Sequence, residues 1–374
     1  MSDFFLGIDT SNYKTSAAIV DENGRIVSDQ RELLSVVRGK RGLRQQEAVF
    51  QHTVNLPKIL DALFADQRYR EGKLRCAAVS SRPRPVDGSY MPVFMSGMAA
   101  AGAIGSAMRI PLYEFSHQEG HIAAIQYFSK FKEKNRFVTF HFSGGTTEAI
   151  LIDREKGVYD LVGGSRDISF GQLLDRTGVA LGFDFPSGEA MDTIAMNAGE
   201  EAESLSLPVI RCPDGFINLS GIETHCGNLV RKHTDKGVPA ETGACSGSGS
   251  GSGGHRGTGV SEESGESFEI SGFRAALIHS LFAEITRAIV RMTVKLSEKY
   301  DIGDFIFAGG VSASGYIRKN LLPAIRKKSP EIEACFGDPA LSSDNAVGIA
   351  LLGMEQYKRE RTPGIEQADG WNRR

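Results

Sequence analysis

The chain lacks any long hydrophobic run. No stretch of its 374 residues approaches the roughly 20 consecutive apolar residues that a transmembrane helix requires. The first residues, "MSDFFLGIDTSNYK", also lack the basic-then-apolar order of a secretion signal. These two absences argue against a membrane span and an exported precursor, and we therefore expect a cytoplasmic protein.

Cysteine is scarce and charge is nearly balanced. The five cysteines are scattered and form no CxxC pair, which argues against a disulfide framework or a zinc ribbon and favours a reducing compartment. The formal net charge of -3 provides no general basic field, so contact with nucleic acid requires a local basic patch or a partner protein. The length exceeds what one compact core usually supports, and predicts two domains with a cleft between them.

One supersecondary pattern occurs twice. The stretch "FFLGIDTSNYKTSAAIVDENGRIVSD" predicts three strands separated by a Ser/Thr/Asn turn and a DENG turn. The later stretch "RFVTFHFSGGTTEAILIDREKGVYDLVGG" repeats this order with a Gly/Thr turn and an acidic turn. Helical stretches follow both copies, so we expect two related α/β domains that face a common cleft.

Three turns are candidates for binding phosphate. The first turn of each copy, which contains Ser11 in one and "SGGTT" in the other, exposes backbone N–H groups and hydroxyls with little steric cover. Either turn could equally be an ordinary hairpin connection. In "DFIFAGGVSASGYIRKNLLPAI", Gly309 and Gly310 end an apolar strand before a helix that is expected to start at about Ser314. Together the three turns favour nucleotide binding in the cleft.

The stretch "EFSHQEGHIAAI" places two histidines four residues apart. On a helix, His117 and His121 lie one turn apart on the same face and can present two imidazoles to one metal ion. A chance pair of surface histidines has the same spacing, so the pattern alone leaves both interpretations open.

Six stretches in this order resemble a known family: "GIDTSNYKTS", "HQEGH", "SGGTTE", "DISFGQLLDRTGVALGFDFPSGEAMD", "AGGVSASGYIR" and "SSDNAVGIA". They resemble the universal tRNA threonylcarbamoyladenosine transferases, formerly described as O-sialoglycoprotein endopeptidases, over nearly the whole chain to about Tyr357. The resemblance implies an α/β fold of two duplicated actin-like ATPase domains around a central cleft, as in sugar kinases and chaperone ATPases. It also implies a metal-dependent, acyltransferase-type enzyme. Such an enzyme moves a threonylcarbamoyl group from threonylcarbamoyl-adenylate to an adenosine beside the anticodon of tRNA.

The resemblance further implies a metal and several partners. His117, His121 and Asp344 match the metal ligands of the family, and either Fe(II) or Zn(II) accepts such a set. The expected partners are an adenylate donor made by a separate synthase, tRNA, an accessory ATPase and paralogous subunits of the family, with no membrane.

Further positions match the nucleotide site of the family. The stretch "HFSGG" matches the loop that holds the phosphate and acyl portion of the adenylate, and Asp175, Gly188 and Asp192 match ribose-binding or neighbouring positions. The expected nucleotide-binding residues are Ser11, His141, Phe142, Ser143, Gly144, Gly145, Thr146, Asp175, Gly188, Asp192, Gly309, Gly310 and Ser314. His141 also stands where some relatives carry a metal-bound tyrosine, which predicts an additional ligand. The alternative is a strand histidine whose ring is satisfied by the backbone.

Several signature positions differ from the family. Residues 12–14 carry Asn, Tyr and Lys in place of a cysteine and two acidic residues. Arg82 and Arg84 stand where the family has glycines, and they either bind an anion or belong to a solvated loop. Thr146 and Ser314 also depart from the usual residues. These departures indicate a divergent paralogue.

Three other functions are alternatives to tRNA modification. The same framework could deliver a carbamoyl-type group to an acceptor other than tRNA. A non-catalytic nucleotide-binding subunit is disfavoured by the metal-ligand pattern, because a scaffold needs no such ligands. A peptidase is disfavoured because Glu119, two residues after His117, is turned about 200° around the helix, away from a metal held by the pair. Glu119 is expected either to support a metal ligand from outside or to serve a structural role.

The domain boundaries follow from the repeat and from composition. Residues 1–125 with about 343–358 are predicted to form the first domain and 126–342 the second. The second domain carries a Gly/Ser-rich stretch at about 232–267 that has the composition of a flexible coil. The polar tail 359–374 is expected to be disordered.

Overall fold

A computed structural model describes residues 2–11, 13–35, 43–86, 88–198, 205–234, 263–341 and 345–361. It contains two mixed sheets. The strands are β1 (Ser2–Asp9), β2 (Lys14–Asp21), β3 (Ile26–Leu33), β4 (Gly72–Arg82), β5 (Leu112–Ser116), β6 (Arg136–Phe142), β7 (Thr147–Asp153), β8 (Val158–Ser165), β9 (Phe216–Ile217), β10 (Asp304–Ala308) and β11 (Glu333–Phe336). The orders are β3-β2-β1-β4-β5 in the first sheet and β11-β10-β6-β7-β8-β9 in the second.

The two sheets share one topology. In each, three strands form an antiparallel meander, and its first strand also pairs in parallel with a later strand that itself has a parallel neighbour. The second sheet adds the short strand β9. The predicted strand repeat and the duplicated domain architecture are therefore confirmed.

The described chain also contains α-helices and two short 3-10 turns, at Gln67–Glu71 and Gly310–Ala313. The α-helices are α1 (Gln45–Phe64), α2 (Phe94–Met108), α3 (His117–Tyr127), α4 (Phe170–Ala180), α5 (Gly188–Asn197), α6 (Ser220–Thr234), α7 (Glu263–Tyr300), α8 (Gly315–Lys328) and α9 (Val347–Arg361). None of these helices is long and apolar enough to cross a membrane.

Both sheets are buried on two faces. In β1, Phe4, Leu6 and Ile8 pack with α1, while Phe5 on the opposite face packs with α9, as the twofold alternation of a strand requires. The second sheet packs one face on a core that includes residues of α4 to α8, and the other on Ile122 of α3. Helices α3 and α9 therefore lie between the two sheets.

Two glycines allow α3 and α9 to contact each other directly. A Cβ built on Gly348 of α9 would overlap the carbonyl oxygen of Gly120 in α3. Gly120 lies between His117 and His121 in the sequence. The close approach of the two helices therefore fixes the turn of α3 that carries the histidine pair.

Several predicted boundaries fall at the edges of the described chain. Helix α6 continues to Thr234 and α7 begins at Glu263, so both edges of the Gly/Ser-rich stretch are helical, and 235–262 lies outside the described residues. Helix α9 continues to Arg361, and the remainder of the predicted tail likewise lies outside them.

The cysteines of the described chain are all free thiols. Cys76 and Cys226 are buried, and burial raises the pKa of each, for Cys226 to about 12. Neither is a thiolate at neutral pH, so neither offers a nucleophile or a metal ligand without a large energetic cost. Cys245 lies outside the described residues.

Candidate active site between the two sheets

The histidine pair lies on the first turn of α3. Ser116 caps this helix by accepting a hydrogen bond from the backbone N–H of Glu119, and the Glu119 carboxylate accepts one from the backbone N–H of Ser116 at 2.6 Å. This reciprocal capping box satisfies two helix-end donors and explains why the helix starts there. The structural role that was predicted for Glu119 is confirmed.

The two imidazoles converge. His117 Nε2 and His121 Nε2 are 2.9 Å apart, and the rings meet edge to face. Two nitrogens bound at about 2.1 Å to one metal ion lie about 3 Å apart when the bonds meet at a right angle. The pair therefore fits two neighbouring positions of one metal ion. Within the described part of the chain, no three or more His, Cys, Asp or Glu side chains lie close enough together to hold one metal ion. The third expected ligand, Asp344, lies outside the described residues.

Asp9, at the end of β1, is a functional candidate that sequence reasoning missed. Its fully buried carboxylate lies 3.1 Å from His117 Nδ1 and accepts hydrogen bonds from the hydroxyls of Ser11 and Ser80. A histidine that donates Nδ1–H to a carboxylate keeps the lone pair of Nε2 available for a metal. Asp9 therefore positions His117. An acidic residue directly before the Ser/Thr turn was the available signal.

Replacing Asp9 with asparagine is expected to lower metal affinity about 10- to 100-fold, the usual cost of losing the carboxylate that hydrogen-bonds a histidine ligand. Competition with a chromophoric chelator measures this affinity. Asp153→Asn is the matched control, because Asp153 is also a buried aspartate but lies at the far end of β7. An Asp9→Asn protein that folds normally and retains wild-type affinity would contradict the role of Asp9.

Ser11 and His141 lie close to the pair on opposite sides of the cleft. Ser11 Oγ is 3.5 Å from His117 Nε2. His141, at the end of β6, has its ring centroid 5.9 Å from that of His121. The structure thus brings one residue from each of the repeated meanders to the histidine pair. Ligation by His141 stays a prediction.

The glycine-rich turn between β6 and β7 is open on one side. The Ser143 hydroxyl accepts a hydrogen bond from Thr146 N–H at 3.1 Å, and Ser143 N–H donates to Thr146 C=O at 2.8 Å. A Cβ added at Gly144 or Gly145 would meet nothing within 4 Å. The Phe142 side chain packs in the core of the second domain, so only its backbone can contact a ligand.

The turn after β10 has the predicted form. Gly309 has a φ of 91°, and a Cβ there would clash with the Phe142 backbone, so this position requires glycine. Gly310 faces open space, and Ser314 caps α8 by accepting from Ile317 N–H. The predicted start of the helix at about Ser314 is confirmed.

The acidic residues that were expected near a ribose already have partners. Asp192 accepts hydrogen bonds from the Ser314 hydroxyl at 2.5 Å and from Gly315 N–H at 2.7 Å, which ties α5 to the start of α8. Asp175 accepts from Ser187 N–H at 2.9 Å, just before Gly188 begins α5. The structure therefore assembles these residues around the first turns of α5 and α8.

Arg82 and Arg84, the two arginines that differ from the family pattern, belong to a segment that lies beside α3. Arg82 pairs with Ser116 in the sheet register, and its guanidinium lies 4.0 Å from Glu119. Burial raises the pKa of Glu119, while the hydrogen bonds from Ser116 and the charge of Arg82 act in the opposite direction. Arg84 instead reaches the other sheet, where its Nη2 lies 2.6 Å from Glu148 Oε1.

The duplicated sheets, with helices between them and glycine-rich turns at a common cleft, define an actin-like ATPase fold. Among solved structures, full-length HypF in its phosphate- and nucleotide-bound form matches 98% of this chain and 56% of its own, with a TM-score of 0.54 and 10% identity. This likeness concerns the fold alone.

Sequence comparison identifies the family. A tRNA N6-adenosine threonylcarbamoyltransferase of Anaeromyxobacter sp. (strain Fw109-5) is 25% identical, over 96% of this chain and 96% of its own. One of Dehalococcoides mccartyi (strain BAV1) is 26% identical over the same shares. The family profile for tRNA N6-adenosine threonylcarbamoyltransferase (TsaD) matches residues 30–351. The chain belongs to this family.

Proposed function

We propose that this protein transfers a threonylcarbamoyl group from threonylcarbamoyl-adenylate to the N6 amine of an adenosine in tRNA. In this reaction a carbon–nitrogen bond forms to N6, the bond from the carbamoyl carbon to a phosphate oxygen of the adenylate breaks, N6 releases one proton to solvent, and AMP leaves. The observation that carries the proposal is the convergence of His117 and His121, beside His141 of the strand that leads into the open Gly144–Gly145 turn, in a chain that belongs to this family.

His117, His121 and Asp344 are proposed to hold one divalent metal ion, Fe(II) or Zn(II). When bound, such an ion acts as a Lewis acid on a carbonyl oxygen. Support for Asp344 comes from α9, which begins three residues later at Val347 and contacts α3 through Gly348 and Gly120. Asp9 holds the His117 ring in one orientation, and the hydroxyls of Ser11 and Ser80 hold Asp9.

The nucleotide is proposed to lie along the cleft edge of the second sheet. The exposed N–H groups of the Gly144–Gly145 turn suit phosphate oxygens. Gly310, Ser314 and the start of α5 at Gly188 line the ribose side, and Asp192 keeps α5 and α8 in register. Because the chain belongs to this family, a separate synthase that makes the donor, accessory subunits and a cytoplasmic location are also proposed.

The test is a reconstitution. The purified protein is combined with a threonylcarbamoyl-adenylate synthase, ATP, bicarbonate, threonine, unmodified tRNA and the accessory proteins of the family, and the digested tRNA is analysed by mass spectrometry. We expect threonylcarbamoyladenosine to form, to fall below detection after metal is stripped with a chelator, and to return when Fe(II) or Zn(II) is added.

Two controls make the result decisive. Thermal unfolding of the stripped protein reports whether it remains folded, and a member of the family with known activity reports whether the reagents work. If the protein binds metal and adenylate but modifies no tRNA while the control enzyme does, the acceptor is not tRNA. A carbamoyl-type transfer to another acceptor would then replace the present proposal.

A further inference from the structure

The ion pair between Arg84 and Glu148 connects the two halves of the molecule. Arg84 lies in the loop that leaves β4 of the first sheet, and Glu148 lies on β7 of the second. Their side chains are 50% and 16% exposed, so the arginine remains accessible from solvent. The sequence did not predict the pair, because nothing in the stretch "SGGTTE", which ends at Glu148, indicates a partner 64 positions away.

Both partners lie on segments that neighbour the histidine pair. On one side, Gln118 N–H donates to the carbonyl of Pro83 at 3.1 Å. This hydrogen bond fixes the loop that contains Arg84 against the first turn of α3. On the other side, Glu148 is directly opposite His141 in the β6–β7 ladder, so the two side chains share one face of the sheet. The His141 ring in turn neighbours that of His121.

The ion pair between Arg84 and Glu148 contributes little to the stability of the protein. An exposed ion pair contributes only about 0–1 kcal/mol, because water screens the charges and the long side chains lose rotamer freedom. The same guanidinium is well suited to recognition, since its planar fork of five N–H donors matches a carboxylate. In the described part of the chain, the Arg84 side chain has one polar contact, through Nη2 to Glu148. Most of its donor capacity is therefore unused.

The donor of the proposed reaction carries a carboxylate near the reacting carbon. A carbamoylated amino acid places its α-carboxylate less than about 4 Å from the carbamoyl carbon, across one nitrogen and one Cα. This group has a pKa of about 3.5 and is ionised at neutral pH. A residue that recognises it must therefore lie beside the metal ligands and carry positive charge.

We propose that Arg84 binds the carboxylate of an N-carbamoylated amino-acid donor, and that Glu148 occupies the guanidinium until this donor displaces it. The proposal rests on the proposed function and names the group that selects a carboxylated donor over a plain carbamoyl donor. Arg82 is not assigned this task, because its side chain is three-quarters buried and its guanidinium lies beside Glu119 and Ser81.

The test compares two non-hydrolysable analogues of threonylcarbamoyl-adenylate by isothermal titration calorimetry. One analogue keeps the carboxylate, and in the other the carboxylate is converted to a primary amide. We expect the wild-type protein to prefer the carboxylate about 10- to 100-fold, as for a charge-assisted contact. Arg84→Ala is expected to lose this preference and to bind the amide analogue as the wild type does. Arg84→Lys, which keeps the charge but not the fork, should retain part of the preference.

Two further variants separate recognition from structure. Arg166→Ala is the matched control, because Arg166 makes an equally short contact with Asp214 at 2.6 Å and is 48% exposed. It should behave as wild type. Glu148→Gln removes the competing carboxylate and should tighten binding of the carboxylate analogue about two- to fivefold. A purely structural ion pair predicts weaker binding instead.

The outcomes distinguish this inference from the function on which it rests. If Arg84→Ala keeps the wild-type preference, or if the wild type binds both analogues equally, the assignment of Arg84 is wrong and the proposed function stands. If the wild-type protein binds neither analogue nor AMP, both proposals fail together.

Discussion

Alanine in place of His121 is expected to leave the protein without bound metal and without tRNA-modifying activity. The two Nε2 atoms of His117 and His121 converge at 2.9 Å, so removal of either imidazole eliminates one of the two ligands that α3 supplies. The loss should exceed the roughly 10- to 100-fold effect of losing a supporting partner such as Asp9. Metal content after dialysis against a chelator, measured by mass spectrometry, and threonylcarbamoyladenosine formation are the two readouts.

The matched control is His225→Ala, which removes a partly buried histidine from α6 in the other half of the molecule. His117→Ala should reproduce the His121 result, and His121→Gln should show whether a side chain of similar length preserves the fold without ligating. Wild-type metal content in both alanine variants would show that the pair is not the metal site.

Alanine in place of Gly348 is expected to destabilise the protein and to loosen the histidine pair at the same time. The added Cβ would overlap the Gly120 carbonyl oxygen. Because this neighbour is backbone and not a flexible side chain, α3 and α9 must move apart to accommodate the methyl group. Overpacking of this kind costs about 1–3 kcal/mol, and more where neither neighbour can yield. Because Gly120 lies between the two histidines, the displacement should also lower metal affinity.

Gly227→Ala provides the opposite expectation in the same experiment. Gly227 lies inside α6, and a Cβ there would meet nothing within 4 Å. Alanine at an open helical position stabilises by about 0.5–1 kcal/mol. Chemical denaturation of the two variants should therefore shift in opposite directions. Gly348→Ala with wild-type stability and wild-type metal affinity would disprove the close crossing.

Much of the architecture could be predicted because local signals repeat. The apolar runs of β1 and β6, each followed by a Ser/Thr/Gly turn and two further strands, indicate two equivalent meanders. Ser314 before α8 and the Ser116–Glu119 box before α3 are short-range signals that reach no further than one helical turn. Such features depend on neighbours in the sequence, which a single chain displays directly.

The contacts that the sequence did not predict join distant segments. Asp9 and His117 are 108 positions apart, and Arg84 and Glu148 are 64 apart. Nothing at either position alone states which partner it will meet. Asp192 illustrates the same limit. Its place near a ribose stays a prediction, and its position in the sequence did not indicate that its oxygens accept hydrogen bonds at the start of α8.

The sequence by itself determined the family, the duplicated α/β plan and the spacing of His117 and His121 on one face of a helix. The family follows from the resemblance of the six motifs to those of known members, and the other two properties follow from the repeated strand pattern and the residue spacing, all of which can be read along the chain. Only the tertiary structure decided that Asp9 supports His117, that Gly120 and Gly348 bring α3 against α9, and that Arg84 crosses to Glu148. The physical reason is that these contacts join separate elements, and packing of the two sheets around α3 and α9 sets which side chains meet.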